Sequence, residues 1–265
     1  MQHRARTKAE SGPSGEYLSG RNAVREALLG DVSRFNKLLL SKSVSEPFSR
    51  EVRAAAGKGD LPVQTVPPQK LDRLLPGVNH QGVALSMSPV SYRSVHDLLT
   101  GIAPTLGEVR SRKPMLLILD QIQDPHNLGA IIRTAVAVGA AGLILPNRNA
   151  ASVNAAAMKT SAGTAHRIPI ARAGSLSAVI QELKERGYWI VGSDTHSDTT
   201  IWETDWDRPL AIVVGSEEKG MRKGIAGQCD FIVSIPLYGD VESLNASVAA
   251  GIVLAAAARS RVPAP

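Results

Sequence analysis

Asn127, Arg133, Glu217, Ser243 and Asn245 are the residues of this sequence best placed to do chemistry together. They fall in three short blocks. These are Asn127-Leu128-Gly129-Ala130-Ile131-Ile132-Arg133-Thr134-Ala135, Gly215-Ser216-Glu217-Glu218-Lys219-Gly220-Met221, and Ile235-Pro236-Leu237 running into Ser243-Leu244-Asn245-Ala246-Ser247-Val248-Ala249. Each block follows a strand-like apolar run and occupies a strand-to-helix or strand-to-loop turn. Turns of that kind line one edge of an α/β sheet, where ligands bind. Polar groups from three such turns meeting in one crevice would bind a ligand, and a cation among them suits a phosphate or a developing alkoxide.

Taken singly, each residue also has an ordinary reading. Arg133 lies off the apolar stripe of its helix, as most surface arginines do. Its position near a helix N-terminus, where a cation is mildly disfavoured, calls for a local anion or an outside partner. Asn127 and Ser243 are N-cap candidates for the helices that follow them. Asn245 falls in the first turn of the last helix, where unpaired backbone donors are already on offer and an amide side chain adds more. Glu217 sits between Gly215 and Gly220, whose spacing predicts a tight bend that can pass close to a ligand.

Two modules must position these groups. From about Tyr17 to Val90 the pattern predicts a helix at Arg21–Leu29, a strand at Lys37–Leu40, a helix from Glu46 to Ala56, a strand at Val63–Val66, a short helix at Gln69–Leu75 and a strand at Val83–Met87. Alternation of this kind makes a small α/β domain. Residues 91–113, rich in Ser, Thr, Gly and Pro, read as a linker with one weak helix at Val95–Leu99. The second module, 114–265, opens with Met115-Leu116-Leu117-Ile118-Leu119-Asp120, continuously apolar as a strand covered on both faces should be. Further strands are expected at Gly142–Leu145, Arg167–Ile170, Trp189–Gly192, Ala211–Val214 and Phe231–Ile235. Helices are expected near Ser152–Lys159, at Leu176–Arg186 and from Leu244 to about Arg259, giving a largely parallel sheet covered on both faces.

The chain has 265 residues, room for two domains, and 43% apolar residues, enough for a core. No apolar stretch approaches the roughly 18 residues of a membrane span. Residues 1–15 read as a disordered basic tail. The one cysteine, Cys229, excludes an internal disulfide and fits a reducing, cytoplasmic setting. Charge is uneven: residues 1–113 carry 17 Lys and Arg against 10 Asp and Glu, and residues 114–265 carry 13 against 14. That asymmetry fits an N-terminal half that grips a polyanion and a C-terminal half that does chemistry. Few aromatics argue against a stacking platform for single strands. Glycine-rich dinucleotide and P-loop signatures are missing, as are a nucleophile elbow and any metal-ligand spacing. Asp194-Thr195-His196, with no nucleophile beside it, reads as a loop.

The three blocks, in this order and spacing, resemble the signature motifs of the SpoU/TrmH family of the SPOUT superfamily, S-adenosylmethionine-dependent RNA ribose 2′-O-methyltransferases. The likeness is strong from Met115 to Arg259. It extends into the first module, which is similar to the substrate-binding domain of the bacterial 23S rRNA guanosine 2′-O-methyltransferase branch, itself related to large-subunit ribosomal proteins. Asn79-His80-Gln81-Gly82-Val83 looks like that branch's segment. Leu237 and Ala246 stand where methionine and valine are common, and neither change removes a reactive group. The resemblance implies a C-terminal trefoil knot and a homodimer with sites at the interface. It places the cofactor at Gly215, Ile235 and Leu244, and gives Arg133 the 2′-hydroxyl, with Asn127, Glu217, Ser243 and Asn245 organising the site. The expected substrate is a guanosine of 23S rRNA, free or in an assembling large subunit. The alternatives are the same chemistry on tRNA, or a non-catalytic RNA-binding assembly factor on the same fold.

Overall fold

The structure, a computed structural model, describes residues 17–261. The tail expected at 1–15 lies outside the described residues. The chain forms two compact units, Met1–Ser91 and Tyr92–Pro265.

In the first unit, strands β1 (Tyr17–Ser19), β2 (Phe35–Ser41), β3 (Val63–Val66) and β4 (Val83–Met87) form one sheet in the order β1-β4-β2-β3. Only β2 and β3 run parallel. Helices α1 (Arg21–Leu29) and α2 (Glu46–Lys58) cover one face and α3 (Pro68–Leu74) the other. The alternation of β2 shows it: Leu38 and Leu40 join the cluster with Val24 and Val52, whereas Leu39 joins the cluster with Leu71.

The segment Asn79–Val83 has a structural task here. His80 Nε2 pairs with Asp72 at 3.0 Å while its Nδ1 accepts from the Gly82 N–H. Gln81, at φ +51°, accepts a 2.8 Å bond from the Arg21 N–H. The α1 N-cap is Gly20, which has no side chain to accept that bond, so Gln81 caps the helix from 60 residues away. Gln81→Ala should therefore cost about 1 kcal/mol, the usual value of a lost cap. Calorimetry should show the melting of this unit lowered by roughly 4–8 °C. An unchanged melting temperature would remove the cap assignment.

The second unit begins earlier than the sequence suggests. The segment expected as a linker instead carries α4 (Val95–Ile102) and α5 (Leu106–Arg112). Leu98, Leu99, Ala103 and Val109 are buried in the core of that unit. Ser94 and a Thr105–Glu108 capping box start the two helices, so the Ser and Thr that signalled a linker are caps.

Strands β5 (Met115–Leu119), β6 (Gly142–Pro146), β7 (Ile170–Ala173), β8 (Trp189–Ser193), β9 (Leu210–Val214) and β10 (Phe231–Val233) form a sheet in the order β10-β8-β9-β5-β6-β7, parallel throughout. The remaining helices are α6 (Pro125–Ala137), α7 (Ala155–Thr160), α8 (Leu176–Glu185), α9 (Lys223–Ala226) and α10 (Ala246–Arg259). Leu116 and Ile118 face a cluster with residues of α4, α5, α8 and α9. On the other face α10 meets β9 and packs on α6, which packs on α7. Gly129 permits that last contact: a Cβ there would lie 2.5 Å from the Ala157 carbonyl oxygen. The strand expected at Arg167–Ile170 starts only at Ile170, because Pro169 has no N–H to give to a sheet and Thr164–Arg167 form a 3-10 turn.

Candidate active site

Strand order reverses around β5 and β9. From β5 the chain moves outward through β6 and β7, then crosses to β8 and returns to place β9 beside β5. A crevice opens at the carboxyl ends of strands where order reverses in this way. Here it is a cleft of about 720 Å³, within the usual range for a small-molecule site, roughly 300–1,000 Å³. Val214, Gly215, Ile235, Leu237, Leu244, Ala246 and Ala249 supply its apolar lining, and Glu217 and Ser243 stand on its wall.

The amide of Asn245 joins the three blocks. Its Nδ2 donates to Asn127 Oδ1 at 3.0 Å and to Glu217 Oε2 at 3.1 Å. Its Oδ1 accepts from the N–H and the hydroxyl of Ser247, at 2.9 and 2.6 Å. Both amide donors and the amide oxygen are thus engaged. Asn245, not Ser243, is the N-cap of α10, and that helix starts at Ala246 rather than Leu244. Leu244 is thereby free of the helix and lines the cleft.

Asn127 is likewise not a cap. Asp124 caps α6, accepting from the His126 N–H, with Pro125 at the first helical position. The earlier cap puts Asn127 inside the first turn, its side chain facing Asn245. It also places Arg133 more than two turns into α6, beyond the first turn where the helix dipole acts. The expected conflict with the positive helix end therefore does not arise. Arg133 is exposed, off the stripe of Leu128, Ile131, Ile132 and Ala135. Among the described residues its guanidinium has no hydrogen-bond or ion-pair partner, and it is not one of the cleft's lining residues.

Gly215 serves the loop itself. A Cβ on it would lie 2.1 Å from the Gly220 carbonyl carbon and 2.3 Å from the Met221 nitrogen. Ser216 and Gly220 exchange two backbone bonds, of 3.1 and 2.8 Å, and Gly220 turns the chain at φ +62°. The bend predicted from the two glycines is present, but the close approach is of chain to chain.

Some lining groups are not among the site residues expected from the sequence. Asp194, Glu218 and Glu242 join Glu217 on the cleft wall, against Lys219 and His196. The Asp194–His196 segment is a loop, as read, with Asp194 Oδ1 accepting from the His196 N–H at 3.0 Å; its place on the cleft wall could not be read from a local pattern. Four carboxylates against one lysine suit a cationic ligand. Among the described residues no cluster of three or more His, Cys, Asp or Glu could hold a metal ion, and no helix is long and apolar enough to cross a membrane.

Comparison with known proteins identifies the family. Residues 114–255 match the SpoU rRNA Methylase family, and residues 17–93 match a domain described as RNA 2′-O ribose methyltransferase substrate binding. The chain is 39% identical over 248 residues to YacO of Bacillus subtilis, whose name assigns it to the TrmH family of tRNA/rRNA methyltransferases; the match covers 94% of this chain and 97% of that protein. A tRNA/rRNA methyltransferase of Mycobacterium ulcerans, uncharacterized by its name, is 43% identical over 93% of this chain and 77% of its own length. Among solved structures, the AdoMet complex of the SpoU methyltransferase AviRb from Streptomyces viridochromogenes has a TM-score of 0.57 at 25% identity, covering 92% of this chain and 90% of that one. The AdoMet-bound rRNA methyltransferase of Sinorhizobium meliloti has a TM-score of 0.58 at 25% identity, covering 94% and 88%. The chain belongs to the SpoU/TrmH family of S-adenosylmethionine-dependent RNA 2′-O-ribose methyltransferases.

Proposed function

We propose that this enzyme methylates the ribose 2′-hydroxyl of a guanosine in 23S rRNA, in the manner of the bacterial branch that its first unit resembles. The observation that carries the catalytic reading is the Asn245 amide, which ties Asn127 to Glu217, a residue of the cleft wall. Three segments distant in sequence thereby form one site.

The cleft fits S-adenosylmethionine in size and chemistry. Gly215, Ile235 and Leu244 form part of its bed, and the four carboxylates complement the positive charge of a sulfonium and an amine. When bound, the cofactor supplies a methyl group already activated for transfer. The remaining work falls to the protein. It must hold the ribose oxygen in line, an effect that can reach about 7–11 kcal/mol, and it must support loss of the hydroxyl proton. A guanidinium keeps its own proton at neutral pH and is a poor base. Arg133 therefore acts by stabilising the developing alkoxide, while the proton leaves to water or a neighbouring phosphate. Ser243 and Asn245 order the rim, and the basic first unit contributes phosphate contacts and reads RNA shape.

We further infer a trefoil knot and a homodimer. Insertion of β9 between β5 and β8, followed by return of the chain from β10 to α10 against α6, supports the first. The second is supported by Arg133, which does not line its own chain's cleft, and by Val248, 50% exposed on α10. If the partner's cleft receives Arg133, mixing inactive Arg133→Ala chains with chains inactivated at Asn245 should regain activity through hybrid dimers. No recovery, with hybrids shown to form, would place Arg133 in its own chain's site. The substrate is decided by mass spectrometry of rRNA and tRNA from cells with and without the gene, together with calorimetry of cofactor binding. Loss of a methylated guanosine in 23S rRNA supports the proposal. Loss confined to tRNA transfers the chemistry to the alternative substrate, for which the relatives' names leave room. A protein that binds no cofactor would instead be a non-catalytic assembly factor.

A further inference from the structure

Asp120 directly follows β5, a strand of five buried apolar residues, and it is 0% exposed. Its backbone N–H donates to the Val214 carbonyl at 2.8 Å, immediately before the Gly215–Met221 loop. Its carboxylate receives the residue immediately after that loop. Oδ2 accepts the Arg222 backbone N–H at 2.9 Å, and Oδ1 accepts Arg222 Nε at 2.8 Å. One buried residue thus holds both ends of the loop that bears Glu217. It also begins the segment that leads to Asn127 and Arg133.

Burying a carboxylate is costly, and a pair of apolar side chains in its place is often no less stable. An ion pair whose carboxylate is buried is therefore weak as a stability device and strong as a fixer of geometry when its bonds are directional. Here they are directional, since one carboxylate oxygen fixes a main-chain N–H and the other orients a planar guanidinium. Arg222 is also the N-cap residue of α9, whose Ile225 is anchored in the core, so loop, pair and helix form a continuous support.

We propose that the Asp120–Arg222 pair is a positioning clamp that sets the Gly215–Met221 loop in its cofactor-binding shape and in register with Asn127 and Arg133. The assignment rests on the cofactor occupying this cleft, as proposed above. Arg222, with a side chain 49% exposed, can be truncated without opening the core. In the full-length protein, Arg222→Ala should speed amide hydrogen exchange at Ser216–Met221. It should weaken S-adenosylmethionine binding by about 10- to 100-fold, the equivalent of one lost charged hydrogen bond. KM for the cofactor should rise while RNA affinity and KM for RNA stay unchanged. Arg222→Lys, which keeps the charge, should recover part of the loss. Asp120→Asn, which disturbs both carboxylate bonds, should exceed Arg222→Ala.

Unchanged exchange and cofactor affinity in Arg222→Ala would overturn the clamp. So would a fall in RNA affinity as large as the fall in cofactor affinity, which would mark general destabilisation; a lower melting temperature alone is expected, since the buried Asp120 carboxylate loses its charge partner. If the unaltered protein binds no cofactor, the functional reading fails, while exchange at Ser216–Met221 still decides whether the pair orders the loop.

Discussion

Replacing Arg133 by lysine should lower the methyl-transfer rate by roughly 10²- to 10³-fold, the range for losing one oriented donor to a developing oxyanion. Cofactor affinity should stay unchanged. Lysine keeps the charge but replaces a planar fork of five N–H donors with a single flexible ammonium. The structure makes this a clean experiment. Arg133 is exposed and has no partner among the described residues, so no internal contact is lost. Surface substitutions of that kind usually change stability by no more than about 0.5 kcal/mol. Single-turnover kinetics at saturating cofactor, with calorimetry alongside, separates rate from binding. A lysine variant with near-normal turnover would show that charge alone suffices and would remove the directional role given to Arg133.

The three blocks were legible because each couples a strand end to a polar turn, and a parallel sheet brings such turns to one edge. Their helix boundaries were less legible, for a specific reason. At both α6 and α10 a second residue type able to cap stands within three positions of the expected one, Asp124 before Asn127 and Asn245 after Ser243. Local propensity does not choose between them. Pro125 favours the earlier start at α6, since proline suits a first helical position. At α10 the choice depends on Glu217 and Asn127, which reach Asn245 from 28 and 118 residues away. The segment 91–113 was misread because caps and linkers share the same Ser and Thr, and the burial of Leu98 and Val109 is a tertiary fact. Asp120 left one trace, an acid closing an apolar run, but its partner lies 102 residues further on.

Asn245 allows stability and site geometry to be separated. Asn245→Ala should lose the α10 cap, at about 1 kcal/mol, together with both bonds to Asn127 and Glu217. Asn245→Asp keeps an acceptor for the Ser247 N–H, and the negative charge suits a helix N-terminus. It removes both amide donors, however, and sets a carboxylate against that of Glu217, which now accepts a bond at 3.1 Å. The two variants should therefore diverge in thermal stability, with the aspartate variant retaining more of the α10 cap, and converge in activity. Each should fall by at least the roughly tenfold to hundredfold cost of a lost charged hydrogen bond. In the aspartate variant part of the loss comes from repulsion, so adding Glu217→Gln to Asn245→Asp should restore part of the activity, and adding it to Asn245→Ala should not. Should the aspartate variant alone be as active as the unaltered protein, Asn245 would be only a helix cap and the junction of the three segments would lose its functional meaning.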